Sequence, residues 1–224
     1  MSILAADRKA IAEWPVSSAS SIAVPARGRL VVSDFNKITL NLSGILALGI
    51  AGHTRDHYYT QEFERSVSID EGLLTIRKHM ERFLRVHDRA GLSKLTSFTV
   101  NQGIASFFDE NTGMYFSNTF LFSPVRNEYR LHRAADEAKI FHAGSGSEHF
   151  EKAIGSMEID SFLTAIKSAC TPEACIPWMQ DAFRKVGASD TNSGTEAMYV
   201  VSTRSSPKFR SMNAGSNSLQ DRRP

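Results

Sequence analysis

Apolar residues open the chain as an unbroken run and then recur in alternation. Ser2, Ile3, Leu4, Ala5 and Ala6 are closed by Asp7, Arg8 and Lys9, so Ile3 to Asp7 reads as a buried strand. Glu13 to Gly28 is rich in Ser, Ala and Pro and reads as a long excursion, followed by a short apolar piece from Leu30 to Ser33. Lys37 to Leu42 (KITLNL) alternates with period two, as a half-buried strand does. Ile45 to Ala51 (ILALGIA) is apolar throughout and reads as a fully buried strand. The Ser43-Gly44 pair between them predicts a hairpin with a two-residue connection.

Helical spacing then takes over. Thr54 or Asp56 can cap a first helix that runs through Ser66. Asp70 with Leu73, Leu74, Ile76, Met80, Phe83 and Leu84 predicts an amphipathic second helix ending near His87. Short strands follow at Leu95–Val100, Ile104–Phe108, Gly113–Phe116, Thr119–Phe122, Glu128–His132 and Ala138–Ala143. After Gly144-Ser145-Gly146 a helix runs through Ala153, and Ile159–Ala169 and Pro172–Val186 give two more. Ala197 to Thr203 (AMYVVST) is the last clear strand, and the polar stretch beyond Pro207 reads as disordered. Strands and helices fall in separate blocks. That order argues for an α+β protein of antiparallel sheets covered by helices, and against a doubly wound parallel sheet. One domain over residues 1–204 and a basic tail over 205–224 are expected.

Composition narrows the class without naming it. At 224 residues a single domain can bury its core with no covalent staple. The longest apolar stretch, Ile45 to Ala51, is too short to span a bilayer, and with no charged-then-apolar pattern at the start of the sequence no signal peptide is expected. Cys170 and Cys175 form neither a disulfide framework nor a zinc pattern, so a reduced, cytoplasmic protein is expected. The net charge of +2 is uneven. From Ser205 onward Lys208, Arg210, Arg222 and Arg223 face only Asp221, so the rest of the chain is close to neutral. That distribution is not a nucleic-acid footprint. His142 and His149 stand seven apart across a glycine turn and read as structural. No phosphate-loop pattern follows a strand.

Four local motifs in this order resemble the proteasome family of N-terminal-nucleophile hydrolases, whose members include proteasome beta subunits and a simpler bacterial peptidase. Ile3-Leu4-Ala5-Ala6-Asp7-Arg8-Lys9-Ala10 is similar to the family's second strand, which ends in Ala-Asp and a basic residue. Lys37-Ile38 leads through Ile45-Leu46-Ala47-Leu48 to Ala51-Gly52-His53-Thr54-Arg55-Asp56, similar to the hairpin that starts at the catalytic lysine and ends in Ala-Gly. Ala143-Gly144-Ser145-Gly146-Ser147 resembles the glycine-serine turn that enters the third helix. Ser189-Asp190-Thr191-Asn192-Ser193-Gly194 carries an Asp and a Ser at the family's spacing before the strand Met198–Thr203. Together the matches run from about Ile3 to Thr203.

The resemblance implies a four-layer αββα sandwich and a threonine-type peptidase. Its chemistry is acyl transfer, in which a terminal hydroxyl attacks the peptide carbonyl and the free amine of the same residue takes the proton. An α-amino group suits that work because it titrates near neutrality, and a neighbouring cation lowers its pKa further. By resemblance Lys37 supplies the cation, Asp7 holds Lys37 by a charge-assisted bond, and the Gly52 amide donates to the oxyanion. Ser145, Asp190 and Ser193 form the hydrogen-bonded group around the amine. In the family the nucleophile begins a strand that precedes the one matched by Ile3–Asp7. Roughly ten residues, one strand and its turn, would carry it. A displaced start, or a relative that lacks a nucleophile, would each explain the register. Ser2, or Ser20 or Ser21 after propeptide cleavage, are the rival nucleophiles within the sequence. The span from Asp7 to Lys37 is longer than the family's, so Glu13–Gly28 is expected to be an inserted loop.

The resemblance also implies a peptide or unfolded-protein substrate, a homo-oligomeric ring and an ATP-dependent unfoldase as candidate partner, with no cofactor, metal, nucleic acid or membrane. The alternatives are a non-catalytic structural subunit of the same fold and a related small-molecule amidohydrolase.

Overall fold

The computed structural model describes residues 1–7, 10–15, 27–32, 36–52, 59–89, 101–123, 126–133, 139–144, 146–168, 171–190 and 193–212. Ten strands and five helices lie within them. The strands are β1 (Ser2–Asp7), β2 (Ala10–Pro15), β3 (Arg27–Val32), β4 (Ile38–Leu40), β5 (Leu46–Gly52), β6 (Asn101–Asp109), β7 (Met114–Ser123), β8 (Arg126–Arg133), β9 (Ala197–Thr203) and β10 (Ser206–Met212). The helices are α1 (Tyr59–Arg65), α2 (Ile69–Arg89), α3 (Ser147–Ile154), α4 (Ser156–Ser168) and α5 (Pro172–Ser189). Every strand pairing is antiparallel: one sheet runs β1-β9-β10, a second runs β4-β5-β6-β7-β8, and β2 and β3 pair as a ribbon. The chain is an α+β protein of two main antiparallel sheets with helices packed on them.

β5 shows why its sequence is apolar at every position. Leu46, Leu48 and Ile50 point to one side and pack with Phe63 of α1 and Ile76 of α2. Ala47 points the other way and packs with Leu4 of β1, Val200 of β9 and Phe209 of β10. Large side chains therefore face the helices, and small ones face the second sheet. Each large residue buried this way contributes about 1.5–3 kcal/mol. Gly49 continues the small face, with Leu4 Cδ1 3.3 Å from where a Cβ would stand. β1 repeats the pattern: Leu4 and Ala6 face the sheet opposite, while Ile3 and Ala5 pack with Ile176, Met179 and Phe183 of α5. The order across the protein is thus α1/α2, five-stranded sheet, three-stranded sheet, α5.

Two contacts fix the direction of β1 across the gap between the sheets. Ser2 Oγ lies 2.8 Å from Ser106 Oγ, and Ser106 is the register partner of Ala47. Leu4 then covers Gly49. β1 and β5 therefore advance in the same direction, and Asp7 arrives at the end of the sandwich where Ala51 and Gly52 close β5.

The helices are held by local chemistry. Ser68 Oγ accepts from the Glu71 amide (3.1 Å), and the Glu71 carboxylate accepts from the Val67 amide (2.8 Å), which together satisfy donors at the start of α2. Gly72 lets α2 approach β5: a Cβ there would fall 2.4 Å from Leu46 Cδ2. α5 starts behind Thr171, whose side chain accepts from the Ala174 amide, and it carries Pro172 at its first position. α4 docks on α5 through a stacked Phe162–Trp178 pair, with centroids 3.8 Å apart, and through Lys185, which meets both Glu158 and Asp181.

Several sequence expectations change. The tail is not wholly disordered: Ser206–Met212 is β10, paired to β9. Phe209 is the reason, a single buried aromatic inside a polar segment that packs among Leu4, Ile38 and Val200. Gly113–Phe116 and Thr119–Phe122 are one strand, β7. Its polar middle, Ser117-Asn118, lies deep in the sheet opposite Ser106 and Ala105. Ala138–Ala143 is no strand over its described part, residues 139–143. Glu13–Gly28 is not simply a loop: its ends belong to β2 and β3, which pair from Ala10↔Val32 to Pro15↔Arg27. The β4–β5 connection is five residues, not two. Asn41 Oδ1 accepts from the Leu46 amide across it (3.1 Å), and Gly44 takes φ +73, which a glycine adopts without strain. β4 begins at Ile38, so Lys37 stands just before the strand. The expected strand Leu95–Val100 and the expected caps Thr54 and Asp56 lie outside the described residues.

Candidate functional site

The clearest polar construction sits where α5 turns into β9. α5 ends at Ser189, and Asp190 caps it with an extended backbone, its amide donating to Val186 O (2.8 Å). The chain folds straight back, since the Ser193 amide donates to Asp190 O (3.1 Å). That turn aims the Ser193 hydroxyl at the Asp190 carboxylate, and Ser193 Oγ donates to Oδ2 at 2.6 Å. Asp190 is only 7% exposed. A buried carboxylate needs such donors, because leaving it without them costs more than an ordinary lost hydrogen bond.

The glycine turn meets this pair from above. Gly146 presses on it so closely that a Cβ would fall 2.8 Å from Ser193 Oγ and 2.7 Å from Val186 Cγ1. Gly144, at φ +104, reaches the other way, with its Cβ position 3.1 Å from the Ala51 side chain. Its amide donates to Gln102 Oε1 of β6 (3.2 Å). The turn therefore bridges the end of β5 to the Asp190–Ser193 pair, and only glycine fits both approaches.

Lys37, Gly52 and Asp7 lie at the same end. The Lys37 carbonyl accepts from the Ile50 amide (3.0 Å), so Lys37 stands one register step short of Ala51. That bond also shows that the Ile50 amide points toward β4. By strand alternation the Gly52 amide points the same way, away from β6 and two register steps past Lys37. Asp7 is the register partner of Ala197, the first residue of β9, three residues after Gly194. Thus Asp190 and Ser193 are bonded to each other, Gly52 and Lys37 flank Ala51, and Asp7 closes the facing strand. Ser145 lies outside the described residues, and for Asp7 and Gly52 the backbone alone is described.

Sequence reasoning missed Gln102 and Gly146. Nothing in NQGIASFFD marks Gln102 as the anchor of a turn 42 residues away. The signal for Gly146 was present as a glycine pair around Ser145, but its role is steric and shows only in three dimensions. Ser147, next in the motif, has its hydroxyl buried without a hydrogen-bond partner. Among the described residues no group of three or more His, Cys, Asp or Glu could hold a metal ion. His142 stacks on Phe150 with centroids 4.9 Å apart. Among the described residues no helix is long and apolar enough to cross a membrane.

The chain matches no family model and no curated protein sequence.

Proposed function

We propose that the chain is a proteasome-type N-terminal-nucleophile hydrolase subunit, acting on peptide bonds. One observation carries this reading: the glycine turn ties the end of β5 to a buried Asp190–Ser193 pair at the end of a two-sheet sandwich. The order of sheets and helices fits the four-layer αββα architecture of that class.

The roles follow from position. A terminal amine placed beside Ser193 would find a buried carboxylate one hydrogen bond away, which orients it as a proton acceptor. Lys37, next to Ala51, supplies positive charge at the strand end. The Gly52 amide, aimed away from β6, is a donor for a developing oxyanion. The nucleophile needs a strand of its own, and β1 offers the edge for it. Among the described residues β1 pairs on one side only, with β9. Its residues Ile3 to Ala6 carry no charge, proline or bulge to guard that edge. β10, at the other edge of the sheet, has Pro207, Lys208, Arg210 and a register shift. The contrast marks β1 as an edge built to be paired.

The test adds an extension of about ten residues that begins with Thr, exposed by clipping a leading tag. The extended protein should take up one equivalent of a threonine-directed epoxyketone by intact mass and cleave fluorogenic peptides. The chain without it should do neither. Lys37→Ala in the extended protein should lose turnover and keep its melting temperature. An extended protein that melts as before and yet takes up no inhibitor would refute the reading, as would full turnover in Lys37→Ala. Labelling of the unextended chain at Ser2, Ser20 or Ser21 would place the nucleophile there instead.

A further inference from the structure

The end of the sandwich opposite the candidate centre carries an ordered strip of side chains. β5 begins there, and the β4–β5 connection is tied to its neighbours on both sides. The Leu42 amide donates to Ser66 O (3.0 Å), which brings Leu42 to the Ser66–Val67 step between α1 and α2. The Phe209 amide of β10 donates to Gly44 O (2.8 Å), and a Cβ on Gly44 would stand 3.9 Å from Lys208 Cβ. On the helix side the Val67 amide donates to the Glu71 carboxylate (2.8 Å). These contacts fix one order across the surface: Lys208, Leu42, Val67, Glu71.

The strip is apolar in the middle and charged at both ends. Leu42 is 72% exposed and Val67 is 59% exposed. One exposed apolar side chain is ordinary on a surface, whereas two large ones side by side keep a patch of apolar area in water. Phe209 is buried, so Lys208 and Arg210 on either side of it turn outward, and both are exposed. Asp70 and Glu71 are exposed at the start of α2. Glu64 with Arg65, and Glu110 with Arg204 in the β6–β7 and β9–β10 turns, add both signs equally and leave the order unchanged.

A strip that runs from basic through apolar to acidic matches a second copy of itself turned about a two-fold axis. With the axis between Leu42 and Val67, Leu42 of each copy meets Val67 of the other, and Lys208 of each meets Glu71 of the other. The area is sufficient. The end of the five-stranded sheet is about 24 Å wide, and two sheets with one helix layer are about 30 Å deep. That is about 700 Å², near the roughly 800 Å² that each partner of a stable dimer buries.

We propose that this end of the sandwich is the interface of a two-fold symmetric homodimer. The interface stands without the hydrolase reading, and it leaves the two candidate centres at the outer ends of the dimer.

Sedimentation velocity of the full chain from about 1 to about 200 µM should show a dimer that weakens as salt rises. Leu42→Asp should raise the dissociation constant by at least about tenfold. Lys208→Glu and Glu71→Lys should each weaken association by about tenfold alone and regain it when mixed, because the mixed pair sets every reversed charge opposite its complement. Leu42 and Lys208 are exposed, so their variants should melt as the parent does. Glu71→Lys also loses the bond to the Val67 amide, so if it fails to fold Asp70→Lys takes its place in the mixture. A monomer at every concentration, a dimer that Leu42→Asp leaves intact, or no recovery in the mixture of folded variants would each overturn the proposal.

Discussion

Replacing Gly146 by Ala probes the packing that joins the glycine turn to the Asp190–Ser193 pair. Gly146 has φ −64 and ψ −14, a conformation Ala adopts freely, so the substitution adds no backbone strain. Through the unfolded chain alone it should stabilise by about 0.4–1 kcal/mol. The folded state opposes that gain. The new methyl would stand 2.8 Å from Ser193 Oγ and 2.7 Å from Val186 Cγ1, inside the usual contact distance of about 3.5–4.0 Å. Val186 is buried on α5, and Ser193 is held to Asp190 by a 2.6 Å bond, so neither can move without loss. Overpacking of this kind costs about 1–3 kcal/mol. The contact outweighs the entropy, and Gly146→Ala should destabilise by about 1–2 kcal/mol, lowering Tm by about 2–8 °C for a chain of this size. Thermal unfolding followed by circular dichroism reads the change. In Gly146→Ala/Ser193→Ala one of the two close contacts is already gone, so the pair should be less than additive by at least about 0.5 kcal/mol. A rise in Tm for Gly146→Ala, or strict additivity in the double variant, would refute the packing derived for the turn.

Other expectations follow from the same coordinates. Ser193→Ala takes a donor from a buried carboxylate and should lower the unfolding free energy by about 1–3 kcal/mol in urea titration; an unchanged midpoint would show that the pair contributes nothing. Gly103→Ala would set a methyl 2.3 Å from Phe120 Cζ and 2.5 Å from the Gly49 carbonyl, so it should cost about 3 kcal/mol, at the top of the overpacking range. A loss under about 1 kcal/mol there would mean β5 and β6 can part more easily than their register implies. Burial pushes the Tyr199 phenol up to about 12, against an opposing pull from Arg184. The folded state keeps that proton while the unfolded chain gives it up near 10, so stability should be level below pH 10 and fall between pH 10 and about 12. The slope should be less than about 1.4 kcal/mol per pH unit, and Tyr199→Phe should flatten it.

Much of this architecture was legible because its strands announce themselves by what covers them. ILALGIA and ILAA are apolar at every position, since each has packing on both faces. AMYVVST is read as easily, with Tyr199 toward α5 and Val200 toward the opposite sheet. The helix blocks were also clear, because Ile69, Leu73 and Ile76 form one apolar stripe on α2, from which Leu74 is left exposed. What stayed hidden depends on partners distant in sequence. SPKFRSM looks like a solvated tail until β9 pairs with it and Phe209 enters the core. Ser117-Asn118 looks like a turn until β6 and β8 close on both sides of it. At the candidate centre, the Asp190–Ser193 spacing was visible, and the backbone bond from the Ser193 amide to Asp190 O realises it directly. The anchoring of Gly144 by Gln102 joins segments far apart in the chain and leaves no mark in either.

The small face of β5 reaches beyond packing. Lys37 and Ala51 ride on the five-stranded sheet, while Asp7 and the Ala197 strand behind Ser193 ride on the three-stranded one. Ala47 and Gly49, at the centre of the molecule, act as the spacer between those two platforms. A bulkier residue at either position would pry the platforms apart and misalign their far ends, without touching any group there. The geometry of this end of the protein is therefore tuned from its middle, by two of its smallest side chains.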